Sequence, residues 1–99
     1  MNYKNIGPWK FDELKEKADY IVLDVRTPRE CLEIAISGHI AINIYDPSFE
    51  AQVEKLDKSK AYLIYCRTGL RSRQACEMMS RIGFERLYNL EGGIVSYSV

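Results

Sequence analysis

The sequence predicts a three-layer α/β domain, in which a parallel sheet lies between two layers of helices. Two continuous apolar runs, residues 20–23 and 61–65, have the pattern of strands that are covered on both faces. Segments with helical periodicity alternate with these runs and with shorter strand candidates. Such alternation is typical of βαβ units, so a single α/β domain over residues 1–99 is the expected architecture.

The shorter strands are less distinct. Residues 42–44 and 87–90 are candidates, and residues 4–6 form a weaker one. A first helix is predicted after Pro8, and its apolar face has these members: Phe11, Leu14 and Ala18. A short helical turn is expected over residues 29–34, because a proline directly precedes it and suits a helix start.

The same spacing predicts two further helices. One of them has Pro47 near its start. The other runs from about Ser72 and is stopped by Gly83, a residue type that commonly follows a helix. The apolar faces consist of Phe49, Val53 and Leu56 in the one helix, and of Ala75, Met79 and Ile82 in the other.

Charge and composition argue against several classes of function. Fourteen basic and fourteen acidic residues give a formal net charge of zero, so nothing attracts nucleic acid or an anionic membrane. No apolar run reaches the roughly 20 residues that span a bilayer, and no apolar signal region follows residues 1–5. We therefore expect a cytoplasmic protein that has neither a nucleic-acid partner nor a membrane partner.

Three cysteines are present, Cys31, Cys66 and Cys76. An odd number without a CxxC pair argues against a disulfide framework and against a zinc site. Cys76 lies beside the apolar face of a predicted helix, where a thiol packs as a small hydrophobic side chain, and the same is expected of Cys31. Cys66 differs because it directly follows a buried strand.

Ligands in open parallel sheets bind beyond the carboxyl ends of the strands. Two segments satisfy this condition, residues 24–26 after the first long strand and residues 66–71 after the second. The two segments are expected to meet if the two strands are neighbours.

The segment CRTGLR, residues 66–71, has the features of an anion-binding loop. A tight turn that contains a glycine and leads into a helix can direct backbone N–H groups into one concavity, and the helix N-terminus adds positive partial charge. Such a setting shifts a thiol toward thiolate, with a pKa of about 3.5–7.5. Cys66 is therefore the candidate nucleophile.

The length of the loop separates two anion chemistries. Cysteine-dependent phosphatases place an arginine six positions after the cysteine, whereas Arg71 follows Cys66 by five positions and Ser72 occupies the sixth. The shorter loop favours a reactive centre smaller than a phosphoryl group.

Four separated motifs resemble the rhodanese family of sulfurtransferases. In chain order they are DVRTPRE at residues 24–30, GHI followed by AINI at residues 38–44, YCRTGLRS at residues 65–72, and LEGGI at residues 90–94. Two family features are altered. Two residues that are common in the family are missing after Ile40, and Tyr97 is expected to stand where the family usually has a tryptophan.

The resemblance implies a rhodanese-like three-layer domain with a mostly parallel five-stranded sheet. It implies that Cys66 accepts a sulfane sulfur as a persulfide and passes it to a nucleophilic acceptor, without a metal or an organic cofactor. Thiosulfate, polysulfide or glutathione persulfide would be the donor. The acceptor would be a thiol or a sulfur-acceptor protein.

The expected substrate-binding residues all belong to the loop and the start of the following helix: Arg67, Thr68, Gly69, Leu70, Arg71 and Ser72. Their backbone N–H groups would stabilise the thiolate and the persulfide. The guanidinium groups of Arg67 and Arg71 are candidate contacts for an anionic donor, and a structural clamp is the alternative for Arg71. Asp24 and Arg26 are expected to brace the site as an ion pair, and His39 is expected to be structural.

Three alternatives stay open. A phosphatase or arsenate reductase is disfavoured by the short loop. A non-catalytic protein-binding or sulfur-carrier module would use the fold alone, and the presence of Cys66 disfavours it. A redox relay between Cys66 and Cys76 is disfavoured because the two lie ten positions apart, one in a loop and one within a helix.

Overall fold

The computed structural model of the chain describes residues 2–97. Strands and helices alternate in this order: β1 (Lys4–Ile6), α1 (Pro8–Leu14), β2 (Tyr20–Asp24), α2 (Pro28–Glu33), β3 (Ile40–Ala41), α3 (Phe49–Glu54), β4 (Ala61–Tyr65), α4 (Leu70–Arg81) and β5 (Leu87–Leu90). A single 3₁₀ turn, Ile94–Ser96, follows β5. The alternation confirms the predicted α/β fold class. No helix within residues 2–97 has the length and apolar character needed to cross a bilayer.

The five strands form one sheet in the order β1-β5-β4-β2-β3, and every strand pair among the described residues is parallel. β2 and β4 are neighbours, with Asp24 beside Tyr65 in the register. Their carboxyl ends therefore lie side by side, and the segments that follow them meet as predicted.

Two hydrophobic layers cover the sheet, one on each face. α3 and α4 pack on one face through Phe49, Val53 and Met79. α1 packs on the other face through Phe11 and Leu14. The side chains of residues 62–65 in β4 alternate between the two layers and are completely buried. Burial of each such side chain stabilises the fold by about 1.5–3 kcal/mol, which explains the continuous apolar pattern of this strand.

The first helix is shorter than the apolar spacing predicts. α1 ends at Leu14, and Ala18 lies exposed beyond it, so its assignment to the helix was wrong. The chain turns here because the N–H of Lys17 donates to the carbonyl of Leu14, and the N–H of Tyr20 donates to that of Lys17. These tight turns lead directly into β2.

The third strand is also displaced, since β3 occupies Ile40–Ala41 instead of residues 42–44. Backbone hydrogen bonds nevertheless continue along the predicted segment. The N–H of Ile42 donates to Asp24 at 2.9 Å, and that of Ile44 donates to Val25 at 3.0 Å. The regular pairing stops earlier because β2 ends at Asp24. The short helix at 29–34, the last strand and the stop at Gly83 agree with the predictions to within a residue.

Candidate active site

Cys66 lies in the turn between β4 and α4, at the carboxyl edge of the sheet. The side chain is almost fully buried, with 1 % exposed. Gly69 has a φ of +109°, a left-handed conformation that favours glycine, and α4 therefore begins at Leu70, two residues earlier than predicted. The N–H of Gly69 donates to Cys66 Sγ at 3.0 Å, so the loop folds back over its own sulfur.

Hydrogen-bond donors converge on this sulfur. Ser72 Oγ lies 3.4 Å from Cys66 Sγ. Burial, the largest single effect, raises the pKa of the Cys66 thiol, but the Ser72 hydroxyl and the N–H groups of Ser72, Gly69 and Thr68 together outweigh it. The pKa of Cys66 therefore lies below its ordinary value, and the thiolate is stabilised at a site from which bulk water is excluded.

Arg71 is committed to an ion pair. Its two terminal nitrogens donate to the two carboxylate oxygens of Glu30 at 2.8 and 2.9 Å. This bond is the main reason why the pKa of Glu30 falls to about 2. Glu30 also completes a capping box with Thr27 at the start of α2. Arg71 thus clamps α4 to α2, which matches the alternative role considered for it, although the clamp reaches beyond the loop.

Arg67 lies on the opposite side of the loop and is exposed. Among residues 2–97, no carboxylate lies within ion-pair distance of its guanidinium group, in contrast to Arg71. Arg67 lines a cleft of about 260 Å³ together with Glu33, Ile34 and Val95. Thr68 and Leu70 belong to the same loop as Arg67, and their side chains are also exposed. Arg67 is therefore a cation of the cysteine loop that lines this cleft and forms no ion pair within the described residues.

Asp24 and Arg26 form a buried pair at the end of β2. The guanidinium group donates to both carboxylate oxygens, at 3.0 Å from Nε and 2.7 Å from Nη2, and the N–H of Arg26 also donates to Asp24. Burial raises the pKa of Asp24, but the hydrogen bonds of Arg26 outweigh it and the pKa is lowered overall. Arg26 also donates to the carbonyl of Ile34 at 2.6 Å. The pair braces the segment that leads to α2.

Sequence reasoning missed the environment of Cys31. Its thiol donates to Asp24 at 3.3 Å and is only half-buried, so the expectation of a plain hydrophobic side chain was wrong. Burial, and then the Asp24 carboxylate, raise the pKa of Cys31 to about 11. His39, whose Nδ1 donates to the carbonyl of Ile36 at 2.8 Å, completes a group with Asp24 and Cys31 in which the possible ligand atoms lie within 4.8 Å of one another. The carboxylate of Asp24 in this group already accepts hydrogen bonds from Arg26 and Cys31.

Gly93, which follows the end of β5, supports the cysteine loop. A Cβ atom on Gly93 would lie 2.2 Å from the carbonyl oxygen of Arg67, so only glycine fits. The next residue, Ile94, donates its N–H to the carbonyl of Cys66 at 2.9 Å. Tyr97 packs edge-on against Phe11 and borders the cleft.

Asn89 is a second residue that sequence reasoning missed. It is a buried polar residue within β5, and its Oδ1 accepts a hydrogen bond from Ser72. Its Nδ2 donates to Asn5 of β1 at 2.9 Å. The available signal was an amide within an otherwise apolar strand, since a buried amide requires partners.

A larger cleft of about 770 Å³ lies at the opposite end of the sheet, between β1, the end of α4 and the start of β5. It contains none of the predicted site residues. The candidate active site is instead the loop around Cys66, where the pKa of a buried thiol is lowered, and the smaller cleft is lined by Arg67 of that loop.

The fold and the site together define an α/β protein with a buried cysteine of lowered thiol pKa in the loop between a strand and a helix. Comparison with known proteins then assigns a family: the rhodanese-like domain matches residues 8–99, and the chain belongs to that family.

Two relatives illustrate the range of the family. The thiosulfate sulfurtransferase GlpE of Coxiella burnetii is 31% identical over 97 residues, which cover 98% of this chain and 89% of the relative. A tRNA uridine(34) hydroxylase of Cytophaga hutchinsonii is 31% identical over 99 residues, but the match covers 97% of this chain and only 32% of that protein. The chain thus spans about a third of the hydroxylase. The named relatives are enzymes.

Among solved structures, a rhodanese-related protein from Thermoplasma volcanium superimposes with a TM-score of 0.84 at 33% identity. The superposition covers 96% of this chain and 90% of that protein. The rhodanese-like fold that the four motifs predict is thereby confirmed.

Proposed function

We propose that this chain is a rhodanese-type sulfurtransferase that carries a sulfane sulfur on Cys66. The observation that carries the proposal is the convergence of donors on Cys66 Sγ, where the pKa of the thiol is lowered in spite of burial. A thiolate is the form that attacks a divalent sulfur, so no separate general base is required.

The reaction has two displacement steps. In the first, the Cys66 thiolate attacks the outer sulfur of thiosulfate, polysulfide or glutathione persulfide, so that a new S–S bond forms and the donor's S–S bond breaks. Sulfite, a shorter polysulfide anion or the glutathione thiolate, respectively, leaves with the electron pair. In the second, an acceptor thiolate or cyanide attacks the outer sulfur of the Cys66 persulfide and releases the Cys66 thiolate. The sulfur moves without a net change in oxidation state of the enzyme.

The surroundings of Cys66 suggest how the donor is held. Arg67 supplies a positive charge that forms no ion pair with a carboxylate of residues 2–97, and it lines the smaller cleft. Backbone N–H groups of the loop, which bind the thiolate before the reaction, would bind the charge of the persulfide afterwards. Exposed apolar side chains around the site, Leu70 and Val95, would accommodate a sulfur-acceptor protein. A reducing cytoplasm, which keeps the thiols free, is the compartment that we propose.

The phosphatase alternative is further disfavoured by Arg71. In a phosphatase the loop arginine must be available to clamp phosphate, whereas Arg71 already donates two hydrogen bonds to Glu30.

Intact-mass measurement after incubation with thiosulfate tests the proposal. The parent protein is expected to gain one sulfur atom, which cyanide removes as thiocyanate. Cys66→Ser should gain none, whereas the control Cys76→Ser should behave as the parent because Cys76 is buried in the core and its pKa is raised. If the parent gains no sulfur from thiosulfate, polysulfide or glutathione persulfide, the proposal is wrong.

A further inference from the structure

A chain of polar side chains leads from Cys66 to the edge of the sheet. Ser72 Oγ contacts Cys66 Sγ at 3.4 Å and also bonds Asn89 Oδ1, and Asn89 Nδ2 donates to Asn5 Oδ1 at 2.9 Å. Ser72 and Asn89 are buried, whereas Asn5 lies exposed on the edge strand β1. The chain thus connects the buried sulfur with solvent.

The hydroxyl of Ser72 has one proton but faces two acceptors. The two hydrogen bonds that Ser72 Oγ can donate, to Asn89 Oδ1 and to Cys66 Sγ, therefore alternate. Donation to Asn89 suits the neutral form of Cys66, whose own S–H can donate to Ser72 Oγ, whereas donation to the sulfur is the one that lowers the pKa of Cys66. The thiolate can only accept hydrogen bonds, so a hydrogen bond between it and Ser72 must use the proton of the Ser72 hydroxyl.

The thiolate consequently requires a different orientation of Asn89. If Ser72 donates to the sulfur while Oδ1 still faces Ser72 Oγ, two buried acceptors oppose each other without a proton between them, and the amide oxygen loses its hydrogen bond. A half-turn of the Asn89 amide places Nδ2 toward Ser72 and Oδ1 toward Asn5. Because Asn5 is exposed, its own amide can turn to donate. All three hydrogen bonds then point toward the sulfur, and each polarises the next.

We propose that Ser72, Asn89 and Asn5 form an orientation switch, whose hydrogen bonds point away from Cys66 when it is a thiol and toward Cys66 when it is a thiolate. No proton passes through the amides; the Cys66 proton goes to solvent, and only the direction of the hydrogen bonds reverses. Ser72 and Asn89 are positioning residues that act on the nucleophile. The benefit for sulfur transfer rests on the proposed function, whereas the reversal itself requires only the ionisation of Cys66.

The charged groups near Cys66 leave its ionisation isolated. Arg71 and Cys76 of α4 interact with it electrostatically, and the pKa of each is raised. Glu30, which faces Arg71 from α2, has a pKa of about 2. Tyr3, which belongs to the same core layer as Cys76, also has a raised pKa. The midpoint of the Cys66 resonance therefore reports the ionisation of Cys66 itself.

NMR of the whole chain, labelled with ¹⁵N and ¹³C, tests the reversal directly. The Cβ resonance of Cys66 reports its ionisation, and the side-chain amide resonances of Asn89 and Asn5 report their hydrogen bonds. We expect the amide signals to shift with the same midpoint as Cys66 in the parent and not to shift in Ser72→Ala. Asn89 signals that stay constant while Cys66 titrates would overturn the switch. This measurement involves no sulfur donor, so its failure is distinct from failure of the proposed function.

Two substitutions of Asn89 separate orientation from mere packing. Asn89→Asp supplies a permanent acceptor and a negative charge, so the midpoint of Cys66 should rise by about one pH unit or more, a tenfold loss of thiolate at fixed pH. Asn89→Leu removes the competing acceptor and leaves the Ser72 proton to the sulfur, so the midpoint should stay within about half a unit. Ser72→Thr should retain the parent midpoint. Equal rises in the Asp and Leu variants, both folded by circular dichroism, would show that Asn89 only packs.

Discussion

The segments that follow β2 and β4 lie side by side at one edge of the sheet. Each contains a cysteine, but the pKa values of the two thiols are shifted in opposite directions. After β4, N–H and O–H donors surround Cys66 and lower the pKa of its thiol. Beside β2, burial and the Asp24 carboxylate, which accepts the proton of Cys31, raise the pKa of that thiol to about 11. Burial raises the pKa in both cases. The polarity of the nearest hydrogen-bonding groups therefore decides which thiol has a lowered pKa.

The largest expected effect comes from the glycine that supports the Cys66 loop. Gly93→Ala should lower the free energy of unfolding by about 3 kcal/mol or more, because the new Cβ would overlap the Arg67 carbonyl and the φ of +67° is strained for alanine. Urea unfolding measures this loss. Gly7→Ala is the matched control, since it has no atom within 4 Å and a φ of −78°, and it should unfold within about 0.5 kcal/mol of the parent. Equal midpoints for the two variants would refute the described contact.

The contrast between the two cysteines can be measured by alkylation with iodoacetamide. We compare Cys31→Ser/Cys76→Ser, which retains Cys66, with Cys66→Ser/Cys76→Ser, which retains Cys31. Each rate should rise with pH through the pKa of the remaining thiol, with half-maximum below 9.0 for Cys66 and near 11 for Cys31. The midpoints are compared because they do not depend on how easily the reagent reaches each thiol. If the two profiles coincide, donor and acceptor surroundings do not separate these thiols.

Glu30 of α2 pairs with Arg71 of α4, and the loss of this pair should reduce the stability of the protein by an intermediate amount. Glu30→Gln should destabilise the protein by about 1.5–3 kcal/mol at pH 7, since the bidentate bond to Arg71 is lost. The pKa of Glu30 is about 2 when folded and 4.5 ordinarily, so the stabilisation is complete above pH 4.5 and is lost as the pH falls toward 2.

Urea unfolding at pH 7, 4.5 and 3 checks both statements. The difference in stability between the parent and Glu30→Gln should shrink over this range. Glu54→Gln, which loses an exposed pair with Lys58, is the control and should cost about 0.5 kcal/mol or less. A difference between parent and variant that does not change with pH would contradict the assignment of the low pKa.

The smallest expected effect concerns the charges of the cleft. Glu33 and Arg67 line it together, so Glu33 opposes the approach of a dianionic donor. Glu33→Gln should lower the KM for thiosulfate about two- to threefold at low salt and leave kcat unchanged, with less effect at high salt. Glu50→Gln on α3, outside the cleft, is the control in the same steady-state assay. An unchanged KM at low salt would mean that thiosulfate does not enter by this cleft.

Much of the fold was predictable because its signals are local. The two long buried strands are predictable because each is a continuous apolar run, and both are strands in the structure. A misplaced boundary such as that at Ala18 arises because an apolar residue at helical spacing looks the same whether or not the chain continues as a helix. The order of the strands leaves no comparable trace in the spacing, and only the structure supplied it.

For the site, the sequence by itself indicated the candidate nucleophile and the loop that surrounds it. Cys66, Gly69 and the start of α4 lie within a few positions of one another, so strand, turn and helix dipole follow from local order. The tertiary structure alone decided the partners. Arg71 meets Glu30 across 41 positions, Ser72 meets Asn89 across 17, and Asn89 meets Asn5 across 84. The physical reason is that local spacing sets backbone geometry, whereas hydrogen bonds between side chains depend on which strands and helices pack together.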